Sequence, residues 1–179
     1  MFENGRDKGF VHLYTGDGKG KTTAAVGLAV RAAGCGRRVL FCQFLKGGQT
    51  GEVEPLRALG VEILRAKHTR KFTFQMTPEE LEEAGALHRS CLALAAEKLG
   101  GGGYDLVVLD EAVDAAGAGL LPPDALPELI RSRPPHVELV LTGRRPDPRL
   151  EALADYYTDF VCRAHPYQRG TTAREGIEY

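Results

Sequence analysis

The stretch Thr15-Gly16-Asp17-Gly18-Lys19-Gly20-Lys21-Thr22-Thr23 has the residue types and the spacing for holding phosphate. Glycines let successive backbone N–H groups approach phosphate oxygens with no Cβ in the way. Lys21, directly after the last glycine, adds a full positive charge, and the Thr22 hydroxyl is the kind of oxygen that ligates Mg²⁺. A helix beginning near Lys21 adds the partial positive charge of its N-terminus. The pattern departs from the usual phosphate loop at its start. Thr15 stands where the first glycine is usual, and Gly16 comes one residue late.

A second group lies far downstream. Leu106-Val107-Val108-Leu109-Asp110-Glu111 is an apolar run ending in two carboxylates. At the C-terminal end of a buried strand, such carboxylates face the crevice where open α/β sheets bind ligands. One of them is then placed to hold Mg²⁺ with Thr22, directly or through water. Gly143-Arg144-Arg145 follows another apolar run and offers a cation to the same edge. The combination reads as a nucleotide site with Mg²⁺. The absence of an Asn-Lys-x-Asp guanine-reading pattern speaks against a GTPase switch. These residues do not name the reaction: a kinase or ATPase and a nucleotide-dependent binding protein share such a site.

The elements that must position these groups alternate between β-branched runs and helical stretches. Strands are predicted over Phe10 to Thr15, Arg38 to Phe44, Val61 to Leu64, Leu106 to Leu109, Leu139 to Leu141 and, more weakly, Tyr157 to Cys162. Helices are predicted over Lys21 to Ala33 and, briefly, over Val53 to Leu59. Between them, Lys46 to Gly51 reads as a functional loop. Thr77-Pro78-Glu79-Glu80 is a helix start, with Thr as cap, Pro in the first turn and Glu three residues on. That helix carries Leu81, Ala84, His88, Cys91, Ala95 and Leu99 on one face and ends at Gly100 to Gly103. The pattern predicts one domain over 1–179, of the α/β class, with a mostly parallel sheet flanked by helices in a phosphate-loop NTPase-like, RecA-like arrangement.

Composition narrows the partners. In 179 residues, 43% are hydrophobic and 26% charged, which fits a globular domain and neither a disordered nor a membrane-spanning chain. Lys+Arg number 23 against 24 Asp+Glu, so no electrostatic pull towards nucleic acid or an anionic membrane is expected. Cys35, Cys42, Cys91 and Cys162 lie far apart, and the histidines lack metal spacing. Reduced thiols in a cytoplasmic protein are the expectation, with no metal held by protein side chains alone.

With these motifs in order, the chain resembles the phosphate-loop ATP:corrinoid adenosyltransferases from about Phe10 to Tyr179. The resemblance rests on Thr15 to Ala25 with its late first glycine, Gln43-Phe44-Lys46-Gly47, Val107 to Glu111, Thr142-Gly143-Arg144 and Gly176-Ile177-Glu178-Tyr179. It implies ATP as co-substrate, Mg²⁺, and a corrinoid (cobalamin or a precursor) as acceptor. The cob(I) centre attacks the 5′ carbon of ATP and the whole triphosphate leaves. It further implies ATP phosphates reversed in polarity, a reduced flavoprotein as electron donor, and a homodimer. By the same resemblance, Gly16, Asp17, Gly18, Lys19, Gly20, Lys21, Thr22 and Thr23 bind the nucleotide, Lys21 and Thr22 stabilise the leaving group, and Glu111 completes the metal site. Phe72 and Phe74 match aromatics that displace the corrinoid's lower ligand. Phe74 stands where some members carry Trp, and this chain has no Trp.

Overall fold

A computed structural model describes residues 8–66 and 75–179. Six strands, β1 (Val11–Thr15), β2 (Val39–Gln43), β3 (Glu62–Arg65), β4 (Leu106–Asp110), β5 (Glu138–Thr142) and β6 (Tyr156–Asp159), form one sheet in the order β3-β2-β4-β5-β1-β6. Every neighbouring pair is parallel. The helices are α1 (Lys21–Gly34), α2 (Val53–Ala58), α3 (Pro78–Gly100), α4 (Ala112–Gly117), α5 (Ala125–Ser132) and α6 (Pro148–Glu151), with a short 3-10 turn at Pro166–Arg169. The expected α/β class holds, and the sheet among the described residues is wholly parallel.

This strand order builds the site. Because β1 lies between β5 and β6, α1 must pass over β5 and β4 to reach β2. The loops leaving β1, β2, β4 and β5 therefore converge on one edge, at the C-terminal ends of the strands. Two apolar layers sandwich the sheet. On one face Leu13, Leu40, Cys42, Val107, Leu109, Leu139 and Leu141 pack with Cys91, Ala95 and Leu99 of α3, Val113 of α4 and Leu126 of α5. On the other, Val39, Phe41, Val108 and Val140 pack with Ala25 and Ala29 of α1. All five residues of both β2 and β4 are buried, and each strand is apolar up to the polar residue that ends it, Gln43 or Asp110. Each fully buried Leu or Val contributes about 1.5–3 kcal/mol. The central strands are thus a stiff support for the groups at their ends.

Helix α3 begins as its residues dictate. Thr77 Oγ1 accepts from the Glu80 N–H and Glu80 Oε2 accepts from the Thr77 N–H, with Pro78 in the first turn. Ala84, His88, Cys91, Ala95 and Leu99 are buried as the stripe predicts. Leu81 is the exception at 37% exposed, because burial along the helix begins only at Ala84. Helices α4, α5 and α6 have no counterpart in the sequence reading, since each is short and bounded by Gly or Pro. The strand bounds also shift: β1 starts one residue later, β2 is one residue shorter at each end, β3 lies one residue later, β4 extends one residue to Asp110, β5 is one residue longer at each end, and β6 runs Tyr156–Asp159 rather than Tyr157 to Cys162. Among the described residues, no helix is long and apolar enough to cross a membrane.

Candidate active site

Buried Thr15 ends β1, and Gly16 turns the chain at φ 99°, a conformation that excludes a side chain at little cost only in glycine. A Cβ on Gly16 would lie 2.3 Å from Asp159 Oδ1, and one on Gly18 would lie 2.5 Å from Phe160 O. These glycines are therefore fixed by the segment leaving β6 as well as by any phosphate. The Gly16 N–H donates to Arg144 O at 3.1 Å and the Gly18 N–H to Phe160 O at 2.6 Å. Asp17 Oδ1 accepts from the Cys162 N–H at 3.0 Å. The loop is thus laced to the ends of β5 and β6 through its first half. At the mouth of α1 the first intrahelical bond runs from the Ala24 N–H to Gly20 O at 2.7 Å, so the N–H groups of Lys21 to Thr23 belong to the open first turn, a place suited to an anion.

Lys21 Nζ lies over the loop, donating to Gly16 O at 2.7 Å and Gly18 O at 2.8 Å. Burial and the nearby Arg144 lower its pKa, while Asp114, Asp17 and Glu111 oppose the shift. The ammonium is held at the loop with positive charge already around it, an arrangement that favours an incoming polyanion.

The sheet edge beside α1 carries a row of polar side chains. Gln43 is in register with Arg65 on one side and with Asp110 on the other. Thr142 continues the row, its hydroxyl donating to Asp110 Oδ1 at 2.8 Å. Thr22 reaches the same oxygen from α1, also at 2.8 Å. Because Thr22 spends its proton on Asp110, the lone pairs of its oxygen face away and are free for a cation. Asp110 is wholly buried, and its second oxygen sits 2.9 Å from Lys46 Nζ. Lys46 also pairs with Glu52 Oε1 at 3.1 Å, and Gln43 Nε2 donates to that oxygen at 2.6 Å. Burial works against the Lys46 charge, but Asp110, Glu111 and Glu52 more than offset it and hold its pKa above the ordinary lysine value.

Glu111 follows in a left-handed conformation at φ 62°, unusual for a side chain of its size. Its N–H donates to the Thr142 hydroxyl at 2.8 Å, which pins the turn between β4 and α4. Among the described residues its carboxylate makes no hydrogen bond or ion pair. Burial, and secondly the charge of Asp110, push its pKa from 4.5 up to about 7. A partly desolvated carboxylate next in sequence to Asp110, which holds the Thr22 hydroxyl, has the oxygen chemistry that Mg²⁺ takes. The fold therefore brings Gly16 to Thr23 and Glu111 together at one edge. Phe72 and Phe74 lie outside the described residues.

Sequence reasoning singled out the loop, Lys21, Thr22 and Glu111, and missed the supporting set. The loop after β2 brings Gln43, Lys46 and Glu52 together, and strand order and register set them beside Asp110 and Thr142. The one signal was that Gln43, Lys46 and Thr142 already fell within the matched family segments. Arg144, offered as a cation, does stand near Lys21 and Glu111 electrostatically, while its N–H caps Asp114 Oδ1 at 2.8 Å. On the opposite sheet face, a cleft of about 580 Å³ is walled by Val113, Leu121, Leu126 and Leu150 and rimmed by Arg89 and Arg145.

Comparisons with known proteins agree with this geometry. Residues 7–179 match the family model described as ATP:corrinoid adenosyltransferase BtuR/CobO/CobP. The chain is 33% identical over 176 residues to the corrinoid adenosyltransferase CobA of Salmonella typhimurium, covering 97% of this chain and 87% of that one. It is 32% identical over 174 residues to the corrinoid adenosyltransferase of Escherichia coli, with the same coverage, and equally so to that of Pseudomonas aeruginosa, of which 85% is covered. A match of this extent, carried on a phosphate loop that faces a strand-end carboxylate pair, places the chain in the ATP:corrinoid adenosyltransferase family.

Proposed function

We propose that this chain transfers the 5′-deoxyadenosyl group of ATP to the Co(I) of a corrinoid, cobalamin or a precursor, in adenosylcobalamin biosynthesis or salvage. The Co–C5′ bond forms as the C5′–O5′ bond breaks, and both electrons of the broken bond leave with inorganic triphosphate. The nucleophile is the reduced metal of the substrate, so no protein base is needed. What the chain must supply is charge stabilisation on the departing polyphosphate. The observation that carries this reading is the convergence of Lys21, the loop N–H groups and the Thr22–Asp110–Glu111 cluster on one sheet edge. Every one of these groups serves the phosphate end of the nucleotide.

In this reading Lys21 and the N–H groups from Lys19 to Thr23 bind the triphosphate, with Gly16, Asp17, Gly18 and Gly20 shaping the loop. Thr22 Oγ1 and Glu111 hold Mg²⁺, which supplies additional positive charge to the leaving group. Asp110 orients the Thr22 hydroxyl. Phe72 and Phe74 serve the corrinoid by excluding its lower ligand, which eases reduction from Co(II). A reduced flavoprotein is the electron donor, and the working form is a cytoplasmic homodimer with the whole chain as one domain. Incubation with ATP and a chemically reduced corrinoid tests the reading. Triphosphate appearing only when the corrinoid is present supports it, whereas ADP identifies a phosphoryl transferase. ATP binding with no product identifies a nucleotide-dependent binding protein.

A further inference from the structure

Two carboxylates stand side by side at the end of β4, and the metal site needs to choose between them. The surroundings make the choice. Asp110 Oδ1 receives the hydroxyls of Thr22 and Thr142, each at 2.8 Å, and Asp110 Oδ2 faces Lys46 Nζ at 2.9 Å. Glu111, one residue on, has no such partner for its carboxylate among the described residues. Lys46 does not arrive there by chance. Leu45 turns the chain at φ 56°, and its N–H donates to His88 Nε2 at 3.1 Å. Arg65 clamps the returning loop by donating to Lys46 O at 3.1 Å and Gly48 O at 2.5 Å. Glu52, itself held by Gln43, then fixes the ammonium from behind. Three separate elements thus cooperate to deliver one buried cation to one carboxylate oxygen.

We propose that Lys46 is a positioning residue that assigns the metal to Glu111, by keeping Asp110 as its own ion-pair partner. The assignment rests on the reading of Thr22 and Glu111 as the Mg²⁺ holders. Without the ammonium, Asp110 Oδ2 is a buried charge lacking its counter-ion, a costly state that any nearby cation relieves. On that reading, the metal ion held by Thr22 and Glu111 is the cation that can take its place. Removing Lys46 should therefore add a second carboxylate to the metal site and make Glu111 dispensable for metal binding.

The test uses Mn²⁺ alone as probe, titrated into the full chain and followed by the paramagnetic resonance signal of the free ion. Lys46→Met should bind Mn²⁺ about tenfold more tightly than the parent. Glu111→Gln should weaken binding about tenfold in the parent but no more than about threefold in the Lys46→Met background. Lys46→Arg keeps the charge and should leave the parent affinity in place. If Lys46→Met does not fold, Lys46→Gln removes the same charge while keeping an amide donor, and should shift affinity in the same direction. A melting temperature measured alongside separates a packing role. A lowered melting temperature with Mn²⁺ affinity unchanged or weaker overturns the proposal. Equal Mn²⁺ binding by the parent and Glu111→Gln would instead bring down the metal-site reading itself, and this assignment with it.

Discussion

Glu111 combines a left-handed backbone with a carboxyl pushed from 4.5 up to about 7, chiefly by burial and then by Asp110. Its folded-state pKa is above the unfolded one, so the native chain holds the extra proton through that interval. Unfolding free energy must therefore fall as pH rises through the window from 4.5 to about 7. A rise of this size corresponds to about 3 kcal/mol if fully expressed. Solvent reaching the carboxylate reduces it, so about 1–2 kcal/mol is the expected loss. Glu111→Gln removes the ionisation and keeps the shape. In Mg²⁺-free urea unfolding, the variant and parent should nearly coincide below about pH 4.5 and diverge above it, with the variant about 1–2 kcal/mol more stable near pH 8. Groups that titrate alike in both chains cancel in the difference. Two parallel stability curves would refute the reasoning, because Glu111 would then be an ordinary solvated carboxylate with no unmet need for a cation.

Lys21→Ala should cut turnover by about a thousandfold or more while costing at most about 1–2 kcal/mol of stability, since only two hydrogen bonds to loop carbonyls are lost. Steady-state rates and a thermal melt on one preparation check it. Gly18→Ala would push a methyl to 2.5 Å from Phe160 O, so ATP affinity should fall about tenfold by calorimetry. Gly27→Ala, in α1 with nothing within 4 Å, should instead stabilise the chain by about 0.5–1 kcal/mol in the same melts. Phe72→Ala and Phe74→Ala should impair the reaction starting from Co(II) under a mild reductant more than the reaction starting from pre-reduced Co(I). Equal losses in both assays with a lowered melting temperature would make the pair core residues.

The glycine-rich loop was legible because its conformation is local. The residues that turn the chain and begin the helix are contiguous from Gly16 to Lys21. The central strands were legible for a related reason, since β2 and β4, buried on both faces, are apolar up to the polar residue that ends each. The polar row was not legible. Asp110 was read as one of two strand-end carboxylates, but Arg65, Gln43 and Thr142, separated from it by long stretches of chain, each alone read as a strand-end polar residue. Only parallel register at neighbouring strand ends makes them one network. Lys46 was legible as part of a functional loop but not as Asp110's partner, because the turn at Leu45 and the Arg65 contacts that bring it to the end of β4 are set by the fold. The second half of β6 was misread because Phe160 to Cys162 leaves the sheet to bond the phosphate loop at Gly18 and Asp17.

Whether the triphosphate end of ATP, held by this loop and edge, is the leaving group is read from ³¹P resonance of a reaction with chemically reduced corrinoid. One equivalent of inorganic triphosphate should appear for each Co–C bond formed, with no ADP, and both signals should be lost together in Lys21→Ala. ADP and orthophosphate accumulating without a cobalt–carbon bond would contradict it.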